Sequence, residues 1–164
     1  MPFTPYHLGP NGVVGLGLRK RLDLPALLLV NVAVDVEPLL VILGLRPPPV
    51  HGLSHTLLGA TAIGLLFGLA VHGGWGLYLR GVPRRWAWAH RPTLGQALLG
   101  SGVGAWLHVL TDMLIYGDVH PLGPLVPRPF PYRWSYPEIA ALCGALGAVA
   151  LVWGLWLLAR RATR

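Results

Sequence analysis

Histidine and aspartate recur at a spacing of four residues in two separate parts of the chain. His51 and His55 form one pair, and His108 and Asp112 form the other. Residues four apart lie on the same face of a helix, so each pair could offer two ligands to one ion. Imidazole together with carboxylate suits zinc or another divalent transition metal. The spacing therefore predicts a metal site that two helices build together.

Two further acidic residues lie in the apolar sequence NVAVDVEPLL. Asp35 and Glu37 are two positions apart, and such residues point to nearly opposite sides of a regular helix. Pro38 disfavours helical geometry at Glu37 and removes a backbone donor. Either a local break turns both carboxylates toward the site, or only one faces it and the other orients a ligand histidine from behind. Both residues are candidate metal ligands, and either could be the catalytic base.

Asp118 and His120 follow the second pair, within HVLTDMLIYGDVHP. They stand where an apolar stretch ends, and we expect one of them to protonate a leaving group or to complete a second metal position. The chain offers more ligands than one zinc ion needs, so one ion and two ions both fit the sequence.

The composition places these residues in a membrane protein, because 54% of the chain is hydrophobic and only 12% is charged. Crossing a hydrocarbon core of about 30 Å takes roughly 20 helical residues. Four stretches qualify, at 24–44, 52–71, 95–117 and 138–159. We predict an all-α integral membrane protein, a bundle of four transmembrane helices forming a single domain over residues 1–164. A shorter apolar segment, 12–18, precedes the bundle and is interfacial, re-entrant or merely packed.

Basic residues beside apolar stretches predict the orientation, since they concentrate on the cytoplasmic side. Ten of them are Arg19, Lys20, Arg21, Arg80, Arg84, Arg85, Arg91, Arg160, Arg161 and Arg164. The remaining two connections carry only Arg46, Arg128 and Arg133. The C-terminus is therefore expected in the cytoplasm, with residues 45–51 and 118–137 outside. The polar groups of three helices would then meet at one level, toward the outer side.

The proline-rich outer loop, which includes Arg128 and Arg133, suggests a stiff cover over this level. The two arginines could hold a phosphate or another anionic headgroup. Its aromatic residues Tyr132, Trp134 and Tyr136 could instead simply anchor the bundle at the interface. Membrane lipids are the expected partners. Nucleic acid is not, because the basic residues form short clusters beside apolar stretches instead of a continuous stripe.

Four short motifs occur in the order YHLG, DVEP, HGLSHT and HVLTD, between residues 2 and about 125. In this the chain resembles the predicted membrane-bound metal-dependent hydrolases, a family of the prokaryotic inner membrane. The resemblance implies a metal-dependent hydrolase without naming its substrate. By the same resemblance the ligand set consists of His7, Asp35, Glu37, His51, His55, His108 and Asp112.

Two features of the chain complicate this resemblance. Many members have a P-D-x-D form where this chain has Asp35-Val36-Glu37-Pro38, which leaves open which carboxylate is ligand and which is base. His7 must also reach mid-membrane, and about 12 residues at 1.5 Å each cover only half of the distance from the outer cluster to the cytoplasmic basic triplet. A re-entrant N-terminal segment would be tolerated where protein buries it.

The leading hypothesis is a membrane-embedded hydrolase in which water activated by a divalent metal, most simply zinc, attacks a lipid or lipid-linked ester, phosphoester or amide. An ion or proton transporter could use the same histidines and aspartates, but it needs a polar path through the cytoplasmic half as well. A structural membrane protein without catalysis predicts no bound metal.

Overall fold

The computed structural model describes residues 5–81, 92–123, 125–126 and 134–162, and these residues contain helices and no strands. The α-helices are α1 (Leu8–Gly17), α2 (Leu24–Val34), α3 (Val36–Ile42), α4 (Leu57–Gly81), α5 (Leu94–Met113) and α6 (Tyr136–Ala162). Short 3-10 helices precede α1 at Pro5–His7 and α4 at Leu53–His55. The all-α prediction is confirmed for the described residues.

Three helical stretches are long and apolar enough to cross a membrane: Leu24–Ile42, Leu57–Leu77 and Tyr136–Arg160. They correspond to the first, second and fourth predicted spans. The third, α5, has 20 residues but is not among them. Its polar side chains, which include Gln96, Ser101, His108 and Asp112, lower its hydropathy. The described residues thus contain three candidate spans and one more polar helix of similar length.

The first span is interrupted at Asp35, between α2 and α3. Asp23 caps the start of α2, where its carboxylate accepts a hydrogen bond from the Ala26 amide at 2.7 Å. The helix breaks shortly before Pro38, which has no N–H to donate to the carbonyl of Val34. The interruption falls at Asp35, two residues before Glu37.

The polar helix α5 lies at the centre of the bundle, where it packs against α4 and α2. Glycines make both approaches close. A side chain at Gly104 would collide with the backbone of Leu27 in α2, and one at Gly64 in α4 would come within 2.9 Å of the Cα of Gly102. Such small residues let helix backbones approach each other in lipid. The central position of α5 brings its polar face into contact with the other helices.

The N-terminal apolar segment is a packed helix, α1, and it begins earlier than the predicted 12–18. It lies against α6, α2 and α5. Gly9 sits directly on the backbone of Cys143 and Gly147, and a side chain there would collide with it. In turn, α6 makes its extensive contacts with α1 and with the turn before it. The last helix is therefore attached to the bundle mainly through the first.

Candidate metal centre

Four buried side chains converge where α2, α3, α5 and the turn before α4 meet. Asp35, His55, His108 and Asp112 each offer one ligand atom, and these atoms all lie within 4.8 Å of one another. Both histidines are fully buried, and the two aspartates are 4% and 3% exposed. Two imidazoles and two carboxylates in this arrangement could hold a metal ion.

Three of the distances between these ligand atoms are close to the edge of a tetrahedral coordination shell. His108 Nε2 lies 3.3 Å from Asp112 Oδ2 and 3.4 Å from Asp35 Oδ1, and His55 Nε2 lies 3.2 Å from the same Asp112 oxygen. Ligands about 2.0–2.1 Å from a tetrahedral ion are about 3.3 Å apart. Neither Nε2 atom makes a hydrogen bond. Both nitrogens therefore lie beside the same Asp112 oxygen, in ion-pair contact with it but without a hydrogen bond.

Asn31 fixes which nitrogen of His108 carries the proton. Its Nδ2 donates to the carbonyl of Leu28 at 2.8 Å and to that of Leu27 at 3.1 Å, so its Oδ1 is the acceptor end. His108 Nδ1 lies 3.1 Å from that oxygen and must be the donor. In the neutral imidazole the lone pair then lies on Nε2, an arrangement typical of metal-binding histidines. Asn11 donates to the same oxygen at 2.8 Å.

Glu37 does not belong to the group of four. Its Oε2 accepts a hydrogen bond from the Ser54 amide at 2.6 Å, its Oε1 accepts one from the Leu53 amide at 3.3 Å, and it also pairs with Arg46. These contacts anchor the 3-10 turn that carries His55. The two carboxylates thus separate, with Asp35 at the cluster and Glu37 behind the turn.

His51 and His55 are not on one helical face, contrary to the expectation from their spacing. α4 begins only at Leu57, and His55 lies in the 3-10 helix before it. The helix does not start earlier because Thr56 is extended, with φ −99° and ψ 154°, and its hydroxyl caps α4 by accepting a hydrogen bond from the Gly59 amide at 2.9 Å. The geometry predicted for this pair is therefore wrong, although His55 still reaches the cluster.

His51 pairs with Asp118 outside the group of four. Its Nδ1 lies 2.8 Å from Asp118 Oδ1, and its ring stacks on Tyr116 and meets the ring of His55 at 4.7 Å between centroids. Burial raises the pKa of Asp118, but the hydrogen bonds and charge of His51 outweigh this and hold that pKa below its ordinary value. His120 is exposed. His51 and Asp118 therefore lie at the edge of the cluster, next to His55.

His7 reaches the cluster from the N-terminal segment. Its Nε2 lies 3.3 Å from Asp112 Oδ1, and its ring stacks on His108 with 4.0 Å between centroids. The ten residues of α1 span about 15 Å, half of a hydrocarbon core. A helix that enters the bundle only halfway is thus enough to place His7 beside Asp112.

The remaining predicted positions lie outside the described residues. They are Arg128, Arg133 and Tyr132 of the outer loop, Arg84, Arg85 and Arg91 of the middle loop, and Arg164. The proposed anion contacts and part of the orientation argument therefore stay predictions.

No protein-family model matches the chain, and comparison with curated proteins and with solved structures also gave no match. The resemblance to membrane-bound hydrolases thus depends on the order of the short motifs. Four residues of these motifs, Asp35, His55, His108 and Asp112, also form the buried cluster.

Proposed function

We propose that the protein is a membrane-embedded, metal-dependent hydrolase whose ion is held by His55, His108 and Asp112. The observation that carries the proposal is the spacing of their ligand atoms, 3.2 Å and 3.3 Å from the shared Asp112 oxygen, with the tautomer of His108 set by Asn31. An ion held there supplies Lewis acidity, which polarises a scissile carbonyl or phosphoryl group and makes water a better nucleophile at neutral pH. Nitrogen and oxygen donors in this number favour zinc.

Asp35 is the best candidate for the base. Catalytic zinc sites keep one position open beside three protein ligands. Of the three histidine–carboxylate distances in the cluster, the one to Asp35 is the longest, at 3.4 Å from His108 Nε2. Asp35 is also buried in the same cluster. A carboxylate there can take a proton from water bound at the open position. Glu37 is already engaged by two backbone amides and Arg46, which supports an orienting role for it.

The depth of the cluster along the helices supports a substrate that reaches it from the bilayer. The amide of Asp23 donates to the carbonyl of Gln96, so α2 and α5 start at one level. Asp35 and Asp112 follow that level by 12 and 16 residues, or about 18 Å and 24 Å of helix. With the basic residues on the cytoplasmic side, the cluster lies past the middle of the core, toward the outer side. A lipid or lipid-linked ester, phosphoester or amide is the substrate class that fits this depth.

The cytoplasmic half of the described bundle favours a hydrolase over a transporter. Between Gln96 and Trp106 the only polar side chain of α5 is Ser101, which is fully buried and lies within hydrogen-bond distance of the carbonyls of Gly64 and Ala97. A transit path for protons or ions needs a series of polar groups on both sides of the site. In the described residues α5 provides such a series only near the cluster.

Elemental analysis of the purified protein in detergent tests the metal site. We expect about one equivalent of zinc in the parent protein and in the control His72→Gln, whose side chain lies far along α4. His108→Ala and Asp112→Ala remove a ligand and should lose most of the metal. Metal content that is substoichiometric and unaffected by both substitutions would refute the site.

Hydrolysis assays test the activity separately. Fluorogenic lipid esters, phosphodiesters and amides should include at least one substrate that the parent protein cleaves, with the activity lost to a chelator and restored by zinc. Asp35→Asn should retain metal and lose about 100-fold or more in kcat, as expected for loss of a general base. Activity that resists chelation or survives in Asp35→Asn would contradict the assignment.

A further inference from the structure

His55 has a hydrogen-bond partner on the ring nitrogen that does not belong to the cluster. Its Nδ1 lies 2.9 Å from the hydroxyl oxygen of Ser54, the preceding residue of the 3-10 helix Leu53–His55. Ser54 is 6% exposed and His55 is fully buried, so the contact is shielded from solvent. A serine hydroxyl can both donate and accept, and the contact alone therefore leaves the position of the imidazole proton undecided.

Glu37 determines the direction in which the Ser54 hydroxyl donates. Its carboxylate accepts the Ser54 amide at 2.6 Å and the Leu53 amide at 3.3 Å, and the Ser54 side chain is a further hydrogen-bond partner. Arg46 pairs with it as well, so these partners are all donors, as an ionised carboxylate requires. The Ser54 hydroxyl has one proton, and the carboxylate can only accept it. The hydroxyl oxygen is then left to accept a hydrogen bond from His55 Nδ1.

The other nitrogen of His55 agrees with this direction. Nε2 lies 3.2 Å from Asp112 Oδ2 and is buried, but it makes no hydrogen bond. If the proton were on Nε2, Nδ1 would take the hydroxyl proton of Ser54, and Glu37 would lose that donor. With the proton on Nδ1, the imidazole donates to the hydroxyl and the hydroxyl donates to the carboxylate.

We propose that Ser54 is a positioning residue of the metal centre, which connects Glu37 to His55 through two hydrogen bonds and keeps the lone pair of the ring on Nε2. This inference rests on the proposed function, because it concerns how one ligand of the proposed ion is held. Partners on the second ring nitrogen of a metal-binding histidine fix its tautomer and orientation and raise its basicity as a ligand. Ser54 acts through His55 and does not touch the ion.

The packing of the turn keeps these groups together. A side chain at Gly52 would collide with the Glu37 carboxylate, so glycine at this position lets the turn approach the carboxylate closely. Directly after His55, Thr56 is extended and caps α4, which separates the turn from the helix that follows. The turn is thus held by Glu37 on one side and by the start of α4 on the other.

A serine in contact with a histidine is also the nucleophile–base pair of serine hydrolases, but the contacts here favour a positioning role. In that pair the histidine accepts the proton of the hydroxyl. Here the hydroxyl is buried and is a partner of Glu37, and His55 offers its other nitrogen to the cluster. Ser54 therefore has its proton directed away from the histidine.

Nitrogen NMR of the metal-free protein in detergent tests the proposal without any ion or substrate. Histidine is isotope-labelled, the pH is one at which the ring is neutral, and the His55 signals are identified by their loss in His55→Gln. We expect Nδ1 to carry the proton in the parent protein. In Ser54→Ala a buried Nδ1–H would have no acceptor, so in about half of the molecules or more the proton should move to Nε2, beside Asp112.

Ser101→Ala is the matched control, because it removes another buried hydroxyl, about two helical turns before His108 on α5. It should leave the His55 signals as in the parent protein. Glu37→Gln should move the proton in the same direction as Ser54→Ala, since a glutamine amide can donate to the Ser54 oxygen. A parent protein with the proton on Nε2, or a Ser54→Ala protein with the proton still on Nδ1, would overturn the proposal.

Zinc affinity provides a second readout. Ser54→Ala should weaken zinc binding about 10- to 100-fold in a chelator competition, with no change in Ser101→Ala. Combined with Glu37→Gln, it should cost less than the sum of the two single changes, because both act on the same ring. Additive losses would contradict the connection through Ser54. If the protein binds no zinc, the proposed function fails, and the tautomer measured without metal still decides the role of Ser54.

Discussion

At the scale of single residues, the site depends on an amide that no ligand pattern includes. Asn31 accepts a hydrogen bond from His108 Nδ1 and donates to two carbonyls of its own helix, so its orientation leaves only one tautomer for the histidine. The sequence shows that Asn31 is a polar residue in an apolar stretch. It does not show the role of Asn31, because this role depends on how closely α2 packs against α5.

Replacing Asn31 by alanine tests this role. We expect Asn31→Ala to weaken zinc binding about 10- to 100-fold, as is typical when the hydrogen-bond partner of a metal-binding histidine is lost. Competition titration with a chelator measures the affinity, and the visible spectrum of the cobalt-loaded protein reports the ligand geometry.

Thr111→Val is the control for this substitution, since Thr111 bonds only the carbonyl of Leu107 on α5 in the hydrogen bonds observed for its side chain. It should leave both readouts unchanged. An Asn31→Ala protein with the parent affinity and spectrum would reduce Asn31 to a packing residue.

At the scale of the elements, the 3-10 turn before α4 places His55 in the cluster, although the helical spacing from which His55 was predicted does not exist. The spacing of His51 and His55 predicts a shared helical face, but Thr56 is extended and caps α4, so the helix begins only at Leu57. The spacing of His108 and Asp112 predicted their neighbourhood correctly, because α5 is helical throughout. Periodicity succeeds where the backbone is regular and fails where an extended capping residue such as Thr56 interrupts it.

Glu37→Gln should lower metal affinity only through His55. The substitution removes the charge that holds two amides and Arg46, so the turn loosens and one ligand is misplaced. Alone it should weaken zinc binding about tenfold, and in a His55→Ala background it should add nothing. A double-mutant cycle on zinc affinity measures this coupling. Full additivity of the two changes would mean that Glu37 acts by another route.

At the scale of the whole molecule, the sequence predicts the all-α class of the described residues, and three of its four predicted spans are helices long and apolar enough to cross a membrane. It does less well for α5, whose polar residues serve the cluster and lower its hydropathy. Spacing along the sequence also could not predict the contact of His7 with Asp112; only the family resemblance suggested it. The contact depends on the packing of α1 beside α5.

Orientation in the membrane can be tested with single cysteines in a Cys143→Ser background. We expect His120→Cys, at an exposed position after α5, to react with a membrane-impermeant maleimide in intact cells. Arg160→Cys, exposed near the end of α6, should react only after permeabilisation. Mass-tag gel shifts quantify the labelling. The opposite pattern would place the cluster toward the cytoplasmic side.

The position of α1 also constrains how the protein can be made. His7 leaves the ribosome before every other residue of the cluster, yet its partners Asp112 and His108 belong to the helix α5, and α1 packs largely on the still later α6. His7 can therefore meet Asp112 and His108 only after α5 has been synthesised, although Asn11 of α1 can already bond Asn31 of α2. The four-residue cluster can thus assemble only after α5 has been made, and α6 packs against α1 later still.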